Sequence, residues 1–174
     1  MDAGARRSAL KDELSQAAEK LELGAVLQMV AANVSSERTR QAIISAHLLE
    51  GLEEIERRQD ETIELVKSMQ TGEEPPIAGW RDSAGVLSRL RVEGMTASGE
   101  DLAVVAAAER KAAEVSRFLE RGKEALPLVS QLLAGFSIRE DIVRRIEKTV
   151  GPDFEVLDGA SPELARLRKT TVSL

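Results

Sequence analysis

His47 is the single histidine of the chain, and there is no cysteine. Those two counts narrow the chemistry at once. Thiolate zinc sites, disulfides, cysteine nucleophiles and a Cys-His dyad are excluded, and a Ser-His-Asp triad could draw only on His47. Glu50, Glu53, Glu54 and Glu61 are spaced so that some share a helix face, a set able to hold a divalent cation. Arg57, Arg58 and Lys67 stand among them, so a solvated, ion-paired face is the expected arrangement. Gly94-Met95-Thr96-Ala97-Ser98-Gly99 has two glycines but lacks the Lys-Ser/Thr of a phosphate-cradling loop. It reads as a connection between helices. No catalytic residue, cofactor-binding residue or metal ligand is assigned, and no cofactor is expected.

Basic residues gather weakly in four places: Arg6-Arg7-Lys11, Arg38-Arg40, Arg139-Arg144-Arg145-Lys148 and Arg166-Arg168-Lys169. The last lies on an end helix beside Thr170 and Thr171. Arg166, Arg168 and Lys169 are the best local candidates for phosphate contact, against an ordinary solvated helix end. Trp80 is the one tryptophan and follows two prolines. It could stack on a base. A lone Trp beside prolines more often pins a loop onto the core, and that role is expected here.

The elements that must position these residues are helices. The chain has 174 residues, of which 43% are hydrophobic, 31% charged and only 2% aromatic. A core built from Leu, Val, Ile, Ala and Met suits a helix bundle better than a β-sandwich. The net charge of −6 means that any nucleic-acid contact is local and not a property of the whole surface. No apolar run approaches a membrane span or a signal core, and the lack of cysteine fits a reducing compartment; a cytoplasmic location is expected.

Leu10, Leu14, Ala17, Ala18 and Leu21 recur at helical spacing, followed by Val26, Leu27, Val30 and Ala31, with Gly24 a weak point between them. Ser35 and Ser36 offer caps for a third helix from Glu37 to about Leu48. A long charged helix follows to Gln70, with Leu52, Ile55, Ile63, Val66 and Met69 as its apolar stripe. Its wet side carries Glu53, Glu54, Glu56, Arg57, Arg58, Asp60, Glu61, Glu64 and Lys67. Thr71 to Asp82 cannot be helical, because Pro75 and Pro76 remove donors and fix φ while Gly72 and Gly79 permit turns. This elbow comprises Pro75, Pro76, Gly79, Trp80, Arg81 and Asp82. Asp82 is expected to cap the next helix, and Arg81 to enter a buried ion pair.

Ser98 and Asp101 form a capping-box pattern ahead of the longest helical pattern, Leu102 to Leu119, with Gly122 at its end. Pro127 fits the first turn of a helix that Gly135 stops. Ser137-Ile138-Arg139-Glu140 has the form of a full capping box before Ile142, Val143 and Ile146. Asp153 to Asp158 alternates and is the one strand-like piece. Ser161-Pro162 opens a last helix. The fold expected is all-α, an irregular multi-helix bundle, with at most one short strand pair near 153–158 and residues 1–174 as a single domain.

Four stretches, in order, resemble bacterial MutS-type proteins of the second branch. They are Leu52-Glu53-Glu54-Ile55; Pro75-Pro76-Ile77-Ala78-Gly79-Trp80-Arg81-Asp82; Gly94-Met95 with Asp101-Leu102, and Phe118-Leu119 beyond; and Asp158-Gly159-Ala160-Ser161-Pro162-Glu163-Leu164 through Arg168. The last is the most specific. Ala78 departs from the paired glycines of the second. The resemblance spans roughly Leu21 to the C-terminus. It implies the N-terminal helical core, or lever region, of a DNA mismatch repair- or recombination-related ATPase that often carries a nuclease domain. Its partners would be the rest of a MutS-like polypeptide (ATPase and clamp), with branched DNA or a ribosome met through the parent protein. A homodimer is left open, and no membrane is expected. No residue matches an ATPase or nuclease motif, so neither activity is carried over, and an excised fragment or truncated relative is expected. The alternative is a stand-alone helical adaptor that binds a protein partner through an apolar groove near Trp80.

Overall fold

The computed structural model describes residues 3–49 and 51–172, and of the side chains those of 12–49 and 51–170. The expected all-α architecture is what forms: among the described residues there are helices and no sheet. The contacts divide into two compact units, Met1–Leu48 and Leu49–Leu174, where the sequence reads as a single domain. Each is taken by itself.

In the first unit, α1 (Ala3–Lys20) and α2 (Leu23–Ala31) are separate helices. The break falls at Glu22, in the left-handed region with φ 53°, and not at Gly24, which sits inside α2. The helix α3 (Glu37–Ile44) starts where Ser36 Oγ accepts from Thr39 N at 3.3 Å, the expected cap. It stops four residues short of Leu48, its end closed by the Ser45 hydroxyl donating to Gln41 O at 2.7 Å. His47 is therefore outside the helix and exposed.

The second unit is built along α6 (Gly99–Arg121), flanked in sequence by α4 (Leu52–Gln70) and α5 (Ala84–Leu90) before it and α7 (Pro127–Gln131), α8 (Glu140–Thr149) and α9 (Pro162–Val172) after it. Ala106, Ala108, Ala112, Ala113 and Leu119 of α6 are buried. Its N-terminal half packs Ala106, Leu102 and Val105 against Ile142, Ile146 and Val150. Its C-terminal half packs Val115, Phe118 and Leu119 against Leu126, Val129, Leu133 and Leu65 of α4. Alanine at the contact positions lets the neighbouring helices approach closely, and burial of the larger side chains around them supplies the drive.

Local signals set most boundaries. Ser98 and Asp101 make a reciprocal capping box, and Gly122 closes α6. Pro127 takes the first position of α7, which ends after five residues and continues as tight turns to Gly135. Ser161 Oγ accepts from Leu164 N at 3.1 Å at the start of α9. The strand-like piece near 153–158 contributes one isolated antiparallel bridge, Val150 with Val156. The capping box expected at Ser137 does not form. Residue Arg139 takes the N-cap position, and its N–H donates instead to Glu109 Oε2 of α6 at 3.2 Å. A tertiary carboxylate replaces the local cap.

The long helix α4 is turned over relative to its apolar stripe. Leu52, Ile63, Val66 and Met69 are exposed by 70%, 46%, 47% and 51%, while Glu61 and Ser68 are buried. On the inward face, the Glu64 carboxylate accepts from Leu128 N and Val129 N at 3.0 Å, satisfying the otherwise orphaned first N–H groups of α7. Glu61 is paired with Arg57 at 3.1 Å and with Arg58 at 3.5 Å.

A second fixed contact lies at Gly99. A Cβ there would meet Phe154 O at 1.9 Å, because the hook closed by the Val150–Val156 bridge passes directly over the start of α6. Phe154 itself adopts φ 61° to make that pass.

Three stability outcomes follow from these placements. Glu64→Ala is expected to cost about 1–2 kcal/mol, as loss of an N-terminal cap does. Val66→Ala, on the stripe expected to be core, should stay within about 0.5 kcal/mol. Urea denaturation of dilute protein separates them, and the opposite ranking would restore the stripe to the core. Gly99→Ala is expected to cost about 1–3 kcal/mol in the same assay, because backbone and not a flexible side chain blocks the methyl.

Candidate functional site

The elbow between α4 and α5 is a chain of turns with its own hydrogen bonds. Ser68 Oγ donates to Glu73 O at 2.8 Å, and Glu73 N donates to Ser68 O at 3.0 Å, which closes the end of α4. Ile77 N donates to Pro75 O at 2.8 Å, and Trp80 N to Ile77 O at 3.3 Å. Gly79 supplies the left-handed φ of 73° that the second turn needs at its third position. Asp82 Oδ1 then accepts from Ala84 N at 2.8 Å, at the first turn of α5. The expected capping role of Asp82 is thus filled two residues along. Pro75, Pro76 and Trp80 are half-buried, whereas Ile77 is exposed. Arg81 is exposed, so the buried ion pair expected of it is not formed. The ion pair of this region is instead Arg89 with Asp101, which ties α5 to the cap of α6. Asp101 also accepts from Ser98 N at 3.0 Å. Those two partners, the Ser98 N–H foremost, hold the Asp101 carboxyl below the usual aspartate value. Sequence spacing revealed the cap but not Arg89, which lies twelve residues upstream.

The C-terminal cations do not form one patch. A 3-10 turn, Asp158–Ala160, leads into α9, and Arg168 reaches back to Asp158 at 2.5 Å. Arg166 and Lys169, three residues apart, share the other side of the helix, and both are exposed. Of the three residues singled out for phosphate contact, Arg166 and Lys169 are brought together on one side of α9. On α8, Arg144 lies 4.0 Å from Glu140, and Arg145 and Lys148 are exposed. Arg40 is tied to Val34 O at 3.0 Å and to Glu37 at 3.8 Å. The side chains of Arg6, Arg7 and Lys11 lie outside the described residues.

The carboxylates expected to be ion-paired on a wet face are ion-paired in part. Glu54 lies 3.9 Å from Arg57, and Glu61 is buried against Arg57 and Arg58. Glu50 lies outside the described residues. Among the described residues no three His, Cys, Asp or Glu side chains are grouped to hold a metal ion. A shallow pocket of about 290 Å³ opens between α6 and α8, lined by Ala103, Ala106, Ile146, Val150 and Phe154, with Arg110 and Glu147 paired at 2.6 Å on its rim. Its lining is polar and apolar in equal measure and offers no nucleophile beside a base. Among the described residues no helix is long and apolar enough to cross a membrane.

The curated proteins matched by this chain include several of one name. No family model matches it. A protein named endonuclease MutS2 from Pelotomaculum thermopropionicum is 30% identical over 154 residues, covering 88% of this chain and 20% of its own length. Its namesake from Symbiobacterium thermophilum is 28% identical over 152 residues, covering 86% of the chain and 19% of the relative. That from Lactiplantibacillus plantarum is 27% identical over 153 residues, with 85% and 19% covered. The chain is thus MutS2-like along most of its length, in agreement with the resemblance carried by its motifs. It spans about one fifth of the length of the curated relatives it matches.

The Asp101 cap gives a pH test. A carboxyl whose folded value is depressed stabilises the fold above the unfolded value, and that contribution disappears as pH falls through the folded value. Stability is therefore expected to hold through neutral pH and to decline below about pH 4. Thermal melts of Asp101→Asn should show lower stability at neutral pH and a shallower acid decline than the parent. Equal acid slopes in the two proteins would remove Asp101 from the account.

Proposed function

We propose that this chain is a non-catalytic helical core, or lever, element of a MutS2-type protein, joining an ATPase to arms that embrace branched DNA or a ribosome. The similarity over 88% of the chain to a fifth of a MutS2 relative is the observation that carries the reading. The endonuclease activity in the relatives' name belongs to proteins about five times as long as the matched region. A rod-like α6, gripped near one end by α8 and near the other by α4 and α7, suits transmission of a displacement better than chemistry at a point. Transmission requires a packed element with two arrangements, and an alanine-faced helix contact is one that can slide without opening a large void. On this reading the elbow is scaffold, with Trp80 its pin, and the chain acts in a DNA repair- or recombination-related context in the cytoplasm. It works without a cofactor or metal ion of its own. Arg166 and Lys169 form the local phosphate-contact surface, with Arg168 held back by Asp158.

Purified chain assayed with ATP and Mg²⁺ is expected to show no turnover above buffer. Binding to a four-way DNA junction near physiological salt should be weak, and lost with Arg166→Glu and Lys169→Glu together. Robust ATP hydrolysis would overturn the reading, and tight junction binding untouched by those changes would move the contact surface elsewhere.

A further inference from the structure

We propose that the outer face of α4 is a docking surface for a basic amphipathic helix of a partner protein, whose apolar stripe covers Leu52, Ile63, Val66 and Met69 and whose cations meet Glu53, Glu56 and Asp60. The face has room for such an occupant. Its four apolar side chains are all exposed, and at roughly 100° per residue they spread over about a third of the helix circumference. Glu61, Glu64 and Ser68 take the opposite side and make the helix's own contacts. The neutral Gln59 and Thr62 are polar members of the stripe, and the Thr62 hydroxyl already donates to Arg58 O at 2.9 Å. Single exposed apolar residues need no explanation, whereas a stripe along about 25 Å of helix marks a surface that meets another.

Charge selects the occupant. Glu53, Glu56 and Asp60 line one edge of the stripe, repeating every three to four residues over roughly 10 Å. All three are exposed, and among the described residues none of them has an ion pair. Lys67 is the one cation of that edge and lies two turns beyond Asp60. The arginines of α4 are turned to other carboxylates: Arg57 to Glu54 and Glu61, and Arg58 to Glu61. The edge is therefore acidic over the first half of the helix. It repels phosphate, so a nucleic-acid backbone and an anionic lipid surface are the wrong occupants. A second copy would bring the same acidic excess to the contact. A helix with Lys or Arg at i, i+3 or i+4, and i+7 beside an apolar stripe presents cations at the repeat of Glu53, Glu56 and Asp60.

The two parts of the face have separate roles. Apolar contact supplies most of the affinity. Exposed ion pairs are individually weak, and they act on the choice of partner and the rate of encounter. One helix laid along another buries on the order of 1,000 Å², at the lower edge of specific interfaces. The docking is therefore reversible, with dissociation in the micromolar range.

The test uses the full chain and two labelled synthetic peptides of about 18 residues, long enough to hold a helix in the contact. Both carry Leu along one face, and at the flanking positions one has Lys and the other Glu. In fluorescence anisotropy near physiological salt, the Lys-flanked peptide should bind in the micromolar range and the Glu-flanked one at least about tenfold more weakly. Ile63→Glu, a change at an exposed position, should weaken the Lys-flanked peptide about tenfold or more, with an unaltered circular dichroism spectrum. Glu56→Lys with Asp60→Lys should invert the preference between the peptides. Glu93→Lys with Glu120→Lys makes the same change in net charge at exposed positions off α4, and should leave the preference as it was. Four results overturn the proposal. One is a Lys-flanked peptide that does not bind below about 200 micromolar, and another is equal affinity for the two peptides. The third is a preference that the Glu93 and Glu120 changes abolish as well, which would make it attraction to the overall charge of −6. The last is a wild type that sediments as a dimer dissociated by Ile63→Glu, which would make the occupant a second copy.

Discussion

The second unit depends on how closely other helices can come to α6. Ala106 and Ala113 lie on one side of that helix and Ala108 and Ala112 on the opposite side, and Leu102, Val105, Val115, Phe118 and Leu119 interleave with the large side chains of its neighbours. The approach is fixed at three polar points as well: Glu109 on Arg139 N, Arg110 on Glu147, and the Gly99 start of α6 beneath Phe154 O. Leu126, the most deeply buried large side chain, sits at the other end of α6 beside Leu119 and Val129. The buried side chains of this unit fall into two small clusters, one toward each end of α6, and many of its aliphatic residues stay at the surface.

Against that constraint, what the sequence revealed and what it concealed divide cleanly. Caps and stops were legible at Ser36, Ser98, Gly122, Pro127 and Ser161, because each depends on atoms within a few residues. The inward face of α6 was legible too, since it carries the unit's longest uninterrupted apolar pattern. The inward face of α4 was not. Periodicity shows that a helix has an apolar stripe, but not that the stripe meets its own domain. Here Glu64 could be drawn inward because the start of α7 presents two N–H groups with no partner, and Ser68 because the elbow folds back over it. The first of these partners is distant in sequence, Leu128 lying 64 residues from Glu64, whereas Glu73 is five residues beyond Ser68 and acts only once the elbow has turned back. The same limit explains Ser137. Its cap pattern was complete locally, yet Glu109 reached the backbone first from another helix.

The candidate site divides in the same way. The turns of the elbow follow from Pro75, Pro76 and Gly79, all local effects. The fates of Arg81 and Arg168 required a tertiary position. Arg81 points to solvent, while Arg89, unremarkable in the sequence, holds the cap of α6. Arg168 stands in the last of the four motif stretches, and there it closes the 3-10 turn onto α9. Motif residues that read as binding groups can equally be the fasteners of the motif's own conformation, and only the ion pairs distinguish the two.

A two-faced α4 makes one mechanical point. Its inner face is held by directional bonds: a carboxylate on two N–H groups, a buried carboxylate between two guanidiniums, a serine across a turn. Such bonds resist rotation of the helix about its axis, because a few degrees break their geometry. The outer face is apolar and tolerates sliding, since dispersion and water exclusion are nearly indifferent to small shifts in register. A helix fixed in rotation on one side and free to shift on the other behaves as a rail. Motion imposed at the outer face would then reach α6 through Leu65 and the start of α7, the contacts that α4 makes inward. That asymmetry requires the polar residues inside and the apolar ones outside, the reverse of an ordinary amphipathic helix.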